Sequence, residues 1–493
     1  MDQGRDRRGR ARAPKTAAII GACAALVLAG CASVVDGQAV SMLYNPARVG
    51  GLPVTEGPSG PRDNAPAPTG TVEHTDNGKI DKLALLSVND IQDYWQQNYD
   101  GLNGTTFTPV EKLISYDSSD PSSPKVCGTR TYKEPNAFYS FKCKLIAWDR
   151  GVLLPTGQKY YGDISVTGVL AHEYGHALQD MSKLVDIRKT PTIVAEQQAD
   201  CFAGVYMRWV AEGQSPRFTL STTDGLNHLL AGLIQIRDDV LRPGEEEGIK
   251  EGHGTALDRV SAFQIGFDTG TPACAAIDLK EIEQRRGDLP MSLRVENTGR
   301  VESGEVPIDK DNLSTLMDVM NRIFAPKEPP TLSYDAGKCA DAEPSPPASY
   351  CPATNTINID LPALQEMGQS ANEANKVMLQ GDDTAFSVVM SRYALAVQRE
   401  RGAGLTSAMA GLRTACLTGV GQRGMADPSG IAEGKGLILS AGDLDEAVSG
   451  ILANGLVASD VNGNTVPAGF TRILAFRSGL LDGDKDRCFQ RFP

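Results

Sequence analysis

The sequence predicts a mainly helical α+β protein built as two tandem units, and three observations carry that prediction. Two segments, 164–181 and 192–210, repeat apolar residues at helical spacing. A cysteine-bracketed stretch, "CGTRTYKEPNAFYSFKCKLIAWD" (127–149), has the aromatic and β-branched residues of short strands. Blocks of the first half return, altered, in the second half.

The bulk composition fits. A chain of 493 residues is too long for one ordinary core. Hydrophobic content of 41% and charged content of 22% are those of a folded globular chain. A net charge of -13 argues against nucleic acid as a main partner. No internal apolar run is long enough to span a membrane.

Residues 1–30 have the form of a lipoprotein signal peptide: a basic n-region, the apolar run "TAAIIGACAALVLAG", then Leu28-Ala29-Gly30-Cys31. This resembles a bacterial lipobox, which implies a palmitate-type lipid on the Cys31 thiol and cleavage before it. The body would then sit on the extracytoplasmic face of the cell membrane, held by that anchor. Residues 31–80 are rich in Pro, Gly, Ala and Thr and read as a flexible linker. A first folded domain is expected over 81–280, and a second, an altered repeat of it, over 300–493.

"AHEYGH" (171–176) is the chemical centre of the first unit. On a helix, His172 and His176 lie one turn apart on one face and can grip a single tetrahedral ion. Glu173 is placed to reach a water on that metal, the arrangement of an HExxH peptidase. Such a motif is improbable by chance with only five histidines in the chain. Gly175 costs helix stability, which suggests that another backbone approaches there. A third ligand must come from a neighbouring element, and Glu196 in "TIVAEQQADCFAGVYMRWV" is assigned to it. Asp200, one turn on, would accept the free ring N–H of a ligand histidine; a simple salt bridge is the plainer alternative. In "EGHGTALDRVSAFQIGF", His253 is the candidate to stabilise the oxyanion, and Arg259 to brace the ligand shell through Asp200. A helix cap and a surface ion pair are the competing readings of these two.

With "NAFYSFKCKLIAWD", "AHEYGHALQ", "AEQQADCFAG" and "HGTALDRVSAFQIGF" in place, residues 81–276 resemble the bacterial neutral zinc metallopeptidase family. With the lipobox, the chain is similar to mycobacterial lipoprotein peptidases. The resemblance implies a gluzincin-like helical core, one Zn²⁺, and the pattern His172, Glu173, His176, Glu196. One departure stands out: the family has cysteine directly after "FY", whereas Ser140 follows here and Cys143 comes later.

The repeat explains the remaining length. "LSTTDGLNHLLAGLI" returns as "LSAGDLDEAVSGIL", "DRVSAFQIGF" as "TRILAFRSGL", "GVLAHEYGHALQ" as "SVVMSRYALAVQ" and "DCFAGV" as "ACLTGV", at offsets between 211 and 219. In this alignment Ser391, Arg392 and Leu395 replace His172, Glu173 and His176. Gly411, Ala415 and Val466 replace Glu196, Asp200 and His253, while Arg472 keeps the place of Arg259. The metal residues are lost from the second unit. Eight cysteines after Cys31 fit disulfides in an exported chain. Equivalent pairing in both units gives Cys127–Cys143, Cys201–Cys274, Cys339–Cys351 and Cys416–Cys488.

The sequence therefore predicts a membrane-anchored, zinc-dependent peptidase acting on peptide or protein substrates in the cell envelope, with Glu173 as general base. The alternative is a lipid-anchored adaptor with a non-catalytic zinc. Three protein ligands and an intact Glu173 favour catalysis, since structural sites are closed by four ligands.

Overall fold

The computed structural model describes residues 32–35, 38–99, 102–295, 299–335, 339–370, 378–427 and 437–493. About half the chain is helical, with small sheets, as the sequence predicts. The leader and Cys31 lie outside the described residues.

The first half opens with α1 (Lys79–Asn98) and a three-stranded sheet of β1 (Lys112–Tyr116), β2 (Ala137–Ser140) and β3 (Leu145–Asp149). β3 is central, parallel to β1 and antiparallel to β2, so β2 is an outer strand. The five residues of β3 are all buried, and its Trp148 Nε1 donates to Asp81 Oδ1 of α1 at 2.8 Å. Then come α2 (Leu153–Tyr161), α3 (Asp163–Ser182), α4 (Thr192–Ala211), α5 (Asp224–Gln235), α6 (Ala256–Thr269) and α7 (Thr271–Ala275). Helices α3 and α4 are buried on nearly every side, so they carry polar residues only where those residues find partners. The left-handed Lys183 stops α3. A capping box between Thr255 and Asp258 starts α6.

The second half runs through α8 (Lys310–Phe324), β4 (Thr331–Ser333), β5 (Ala348–Cys351), β6 (Thr356–Ile359), α9 (Leu361–Met367), α10 (Asp382–Glu400), α11 (Ala408–Ala426), α12 (Asp443–Ala453), α13 (Gly469–Asp482) and α14 (Lys485–Arg491). Its sheet also has a central strand, β6, parallel to β4 and antiparallel to β5. Close approaches recur as well. A Cβ on Gly266 of α6 would lie 1.8 Å from the Cys201 carbonyl oxygen, and one on Gly479 of α13 equally 1.8 Å from that of Cys416. Glycine is required at both crossings. The four disulfides are Cys127–Cys143, Cys201–Cys274, Cys339–Cys351 and Cys416–Cys488.

The halves pack through α5, α6, α12 and α13. Ala256 N at the start of α6 donates to Asp445 Oδ1 of α12 at 2.9 Å. Gly469 N at the start of α13 donates to Asn227 Oδ1 of α5 at 3.0 Å. Each half thus caps a helix of the other.

Residues 45–78 correct the sequence reading of 31–80 as a flexible linker. They form a strap fastened to both halves. Thr471 Oγ1 donates to Arg48 O at 2.9 Å, Thr55 N to Thr222 Oγ1 at 2.7 Å, and Ser221 N to Ser59 Oγ at 2.9 Å. Gly60–Pro61 pairs with Phe218–Thr219, and Glu73 exchanges backbone bonds with Leu113 and Ser115. A Pro- and Gly-rich segment builds no core of its own, but its extended backbone can satisfy polar groups in grooves that others provide.

One buried acidic group sets a pH dependence. At the start of α10, Asp382 Oδ2 accepts from Val306 N at 2.5 Å, while Oδ1 has no hydrogen-bond partner among the described residues. Burial, with Glu305 nearby, pushes its carboxyl up to about 6. A pKa raised on folding means that the folded state holds a proton the unfolded chain has released. That contribution is complete below the ordinary carboxylate range and is lost as pH rises through about 6. Asp382→Asn keeps the acceptor for Val306 and puts an N–H at the orphaned oxygen. Its melting temperature relative to wild type should therefore rise between pH 5 and pH 8 in calorimetry. An unchanged difference would show that Asp382 does not titrate in that window.

Candidate metal centre

Helices α3 and α4 cross closely because Gly175 has no side chain. A Cβ there would sit 2.7 Å from Ala199 Cα and 2.9 Å from its carbonyl oxygen. The crossing brings Glu196 of α4 over the histidine pair of α3. His172 Nε2 lies 3.2 Å from Glu196 Oε2, and His176 Nε2 lies 3.4 Å from Glu196 Oε1. All three residues are buried. Their donor atoms fall within 4.8 Å of one another.

The other ring nitrogens are occupied. His172 Nδ1 is 2.7 Å from Asp200 Oδ1, and His176 Nδ1 is 3.0 Å from Gln179 Oε1. Partners that only accept fix the protons on Nδ1 and leave each Nε2 as a lone pair aimed at the cluster. Glu196 Oε2, buried, accepts no hydrogen bond among the described residues. Two imidazole lone pairs and a carboxylate facing one another without a donor are a site for a cation. The nitrogen and oxygen set fits Zn²⁺, with three protein ligands and a fourth position open.

Behind the ligands, Asp200 is wholly buried and accepts from Arg259 Nε at 3.0 Å and Nη2 at 2.8 Å. Burial alone would raise the Asp200 carboxyl; Arg259 and His172 outweigh it and hold it below the ordinary range. Beside the ligands, Glu173 is buried, and its Oε2 accepts from the Tyr139 N–H of β2 at 2.9 Å. Burial pushes this carboxyl up from its ordinary value. His253 stands beside the cluster with its side chain 54% exposed, and its Nε2 lies 3.8 Å from Glu196 Oε2. Its Nδ1 is 3.2 Å from Asp238 Oδ1, a bond that raises its pKa.

The structure thus brings together His172, Glu173, His176, Glu196, Asp200, His253 and Arg259. Sequence reasoning missed Gln179 and Asp238. Gln179 stands one turn beyond His176 on the same helix, so helical spacing held a signal for it. Asp238 reaches His253 from a separate loop and had none.

A buried HExxH pair closed by a glutamate from the next helix defines a zinc-peptidase type of centre. The chain belongs to the family described as "Putative neutral zinc metallopeptidase", which matches residues 6–277. That family implies Zn²⁺, which the residues present fit. The chain is 32% identical over 127 residues to two proteins described as "Uncharacterized protein YpfJ", from Escherichia coli K12 and Escherichia coli O6:H1. The match takes in 23% of this chain and spans 42% of the length of those relatives. No solved structure matches.

Proposed function

We propose that the protein is a lipid-anchored peptidase that hydrolyses peptide bonds of cell-envelope substrates. The observation that carries the catalytic part is the three-ligand cluster with Glu173 buried beside it. Zn²⁺ would be held by His172, His176 and Glu196, and when bound it supplies the Lewis acidity that brings a water toward ionisation near neutral pH. Glu173 takes the proton of the attacking water and passes it to the leaving amine. Tyr139 N–H holds the glutamate in place for that transfer. His253, oriented by Asp238, donates toward the oxyanion. The outer strand β2 runs beside Glu173, so a substrate added along its free edge would pass the cluster in extended form.

The second half is read as a degenerate copy of the first. Supporting this are the repeated element order, the sheet topology, the disulfide positions and the paired glycine crossings. Where Glu173 accepts from β2, the buried Arg392 donates from Nε to Ala348 O of β5 at 2.8 Å and from Nη1 to Ser459 Oγ at 2.8 Å. A guanidinium there leaves no place for a cation. The membrane anchor rests on the lipobox-like Leu28–Cys31 segment.

Purified protein is expected to bind one zinc and to cut peptides from a proteome-derived library, and to partition into detergent through Cys31. His176→Ala should lose both metal and cleavage. Two zinc ions per chain would sink the degenerate-copy reading, cleavage surviving metal removal would sink the mechanism, and a wild-type protein lacking lipid would sink the anchor.

A further inference from the structure

The second half has no metal ligands at the places equivalent to the first, yet it reaches the loops that hold His253. We infer that Asp445 is a positioning residue for the active site, donated by the degenerate half: one carboxylate that ties together the two chain segments carrying Asp238 and His253. The inference rests on the peptidase reading above and assigns part of that site's geometry to the partner half.

Asp445 lies on α12 and is buried. Its Oδ1 accepts from Ala256 N, three residues after His253. Its Oδ2 lies 3.4 Å from Nε of Arg237, the residue before Asp238. Between these grips the two segments are joined to each other. Asp238 N donates to Gly254 O at 3.1 Å, Gly254 N to Asp238 Oδ2 at 2.7 Å, and His253 Nδ1 faces Asp238 Oδ1. The packing is tight, since a Cβ on Gly252 would lie 2.1 Å from Asp238 Oδ2. His253 itself is half exposed. Its direction depends on Asp238, and the two segments bearing that pair are both held by Asp445.

The structure contains a matched control. Asn227 caps α13 through Gly469 N as Asp445 caps α6 through Ala256 N. The Asn227 contact makes the same kind of bond across the same interface but holds the start of α13, in the half without the metal cluster. A role in stability alone predicts equal consequences for the two sites; a positioning role predicts consequences only at Asp445. An amide oxygen suffices for the cap at Asn227, so Asp445→Asn separates the cap from the charge on Arg237.

The test uses the full-length zinc-loaded protein. Asp445→Ala should lower kcat about tenfold, with KM within about twofold and one zinc still bound. Asp445→Asn should recover part of that loss, and Asn227→Ala should leave kcat unchanged. In ¹⁵N-histidine NMR the His253 signal should shift in Asp445→Ala and stay in Asn227→Ala. Equal kcat losses at both sites, or an unmoved His253 signal, would overturn the inference. A wild-type protein without peptidase activity would sink the proposed function, while the histidine spectra would still decide the positioning claim.

Discussion

Replacing Glu173 with glutamine is expected to leave zinc bound and to lower peptide hydrolysis by about 10²–10⁴-fold. Glu173 stands outside the group formed by His172, His176 and Glu196, so its loss removes no ligand. Glutamine has the same shape, and its amide oxygen still accepts the Tyr139 N–H that fixes the side chain at 2.9 Å. Only the ability to take and return a proton is removed. The change should appear in kcat, because the proton moves in the transition state and not in binding. Metal analysis and steady-state kinetics on one preparation check it. A glutamine variant that cuts at the wild-type rate would show that the base is another group.

Much of this centre was legible in the sequence because its chemistry is local. His172, Glu173 and His176 lie within two turns of one helix, where spacing alone fixes the shared face. Glu196 and Asp200 were legible at one remove: they repeat the four-residue spacing on the next helical segment, and a two-helix hairpin is the simplest way to bring them across. Gly175 pointed correctly to a close backbone approach, here by Ala199. What stayed hidden was set by tertiary contact. Asp238 acts on His253 from a loop with no periodic or motif signal, and Asp445 from a repeat block whose sequence does not show which groups it meets. The parallel strands β1 and β4 lie before their cysteine-linked hairpins and were not singled out. The strap of residues 45–78 was misread for a different reason. Composition says whether a segment can bury a core of its own, and this one cannot. It does not say whether the segment docks into a core built by others, as the bonds to Thr222, Ser221 and Thr471 show it does.

Removing the Asp200 carboxylate is expected to weaken zinc binding about 10–100-fold and to destabilise the fold by about 3–5 kcal/mol. Asp200 joins two demands in one buried group. It holds the Nδ1 proton of His172 at 2.7 Å, which points the Nε2 lone pair at the cluster, and it neutralises Arg259, which is 1% exposed. In Asp200→Ala the imidazole loses its orienting partner and the guanidinium stays buried without its counter-charge. On the degenerate-copy reading proposed above, the second half has the same arrangement without the acid. Ala415 aligns with Asp200, and Arg472 aligns with Arg259. Arg472 Nη1 donates to Ile451 O at 2.8 Å, as Arg259 Nη1 donates to Ile236 O at 2.9 Å. Burial pushes Arg472 down to about 10, and its Nε has no hydrogen-bond partner among the described residues. A helix core of this shape therefore accommodates an arginine held by backbone carbonyls alone, and Asp200→Ala should still fold. Its lower stability in denaturant and its weaker zinc affinity in a chelator competition would then be separate readings of the two roles. Zinc affinity equal to wild type would show that Asp200 serves Arg259 only, and that His172 keeps its tautomer without it.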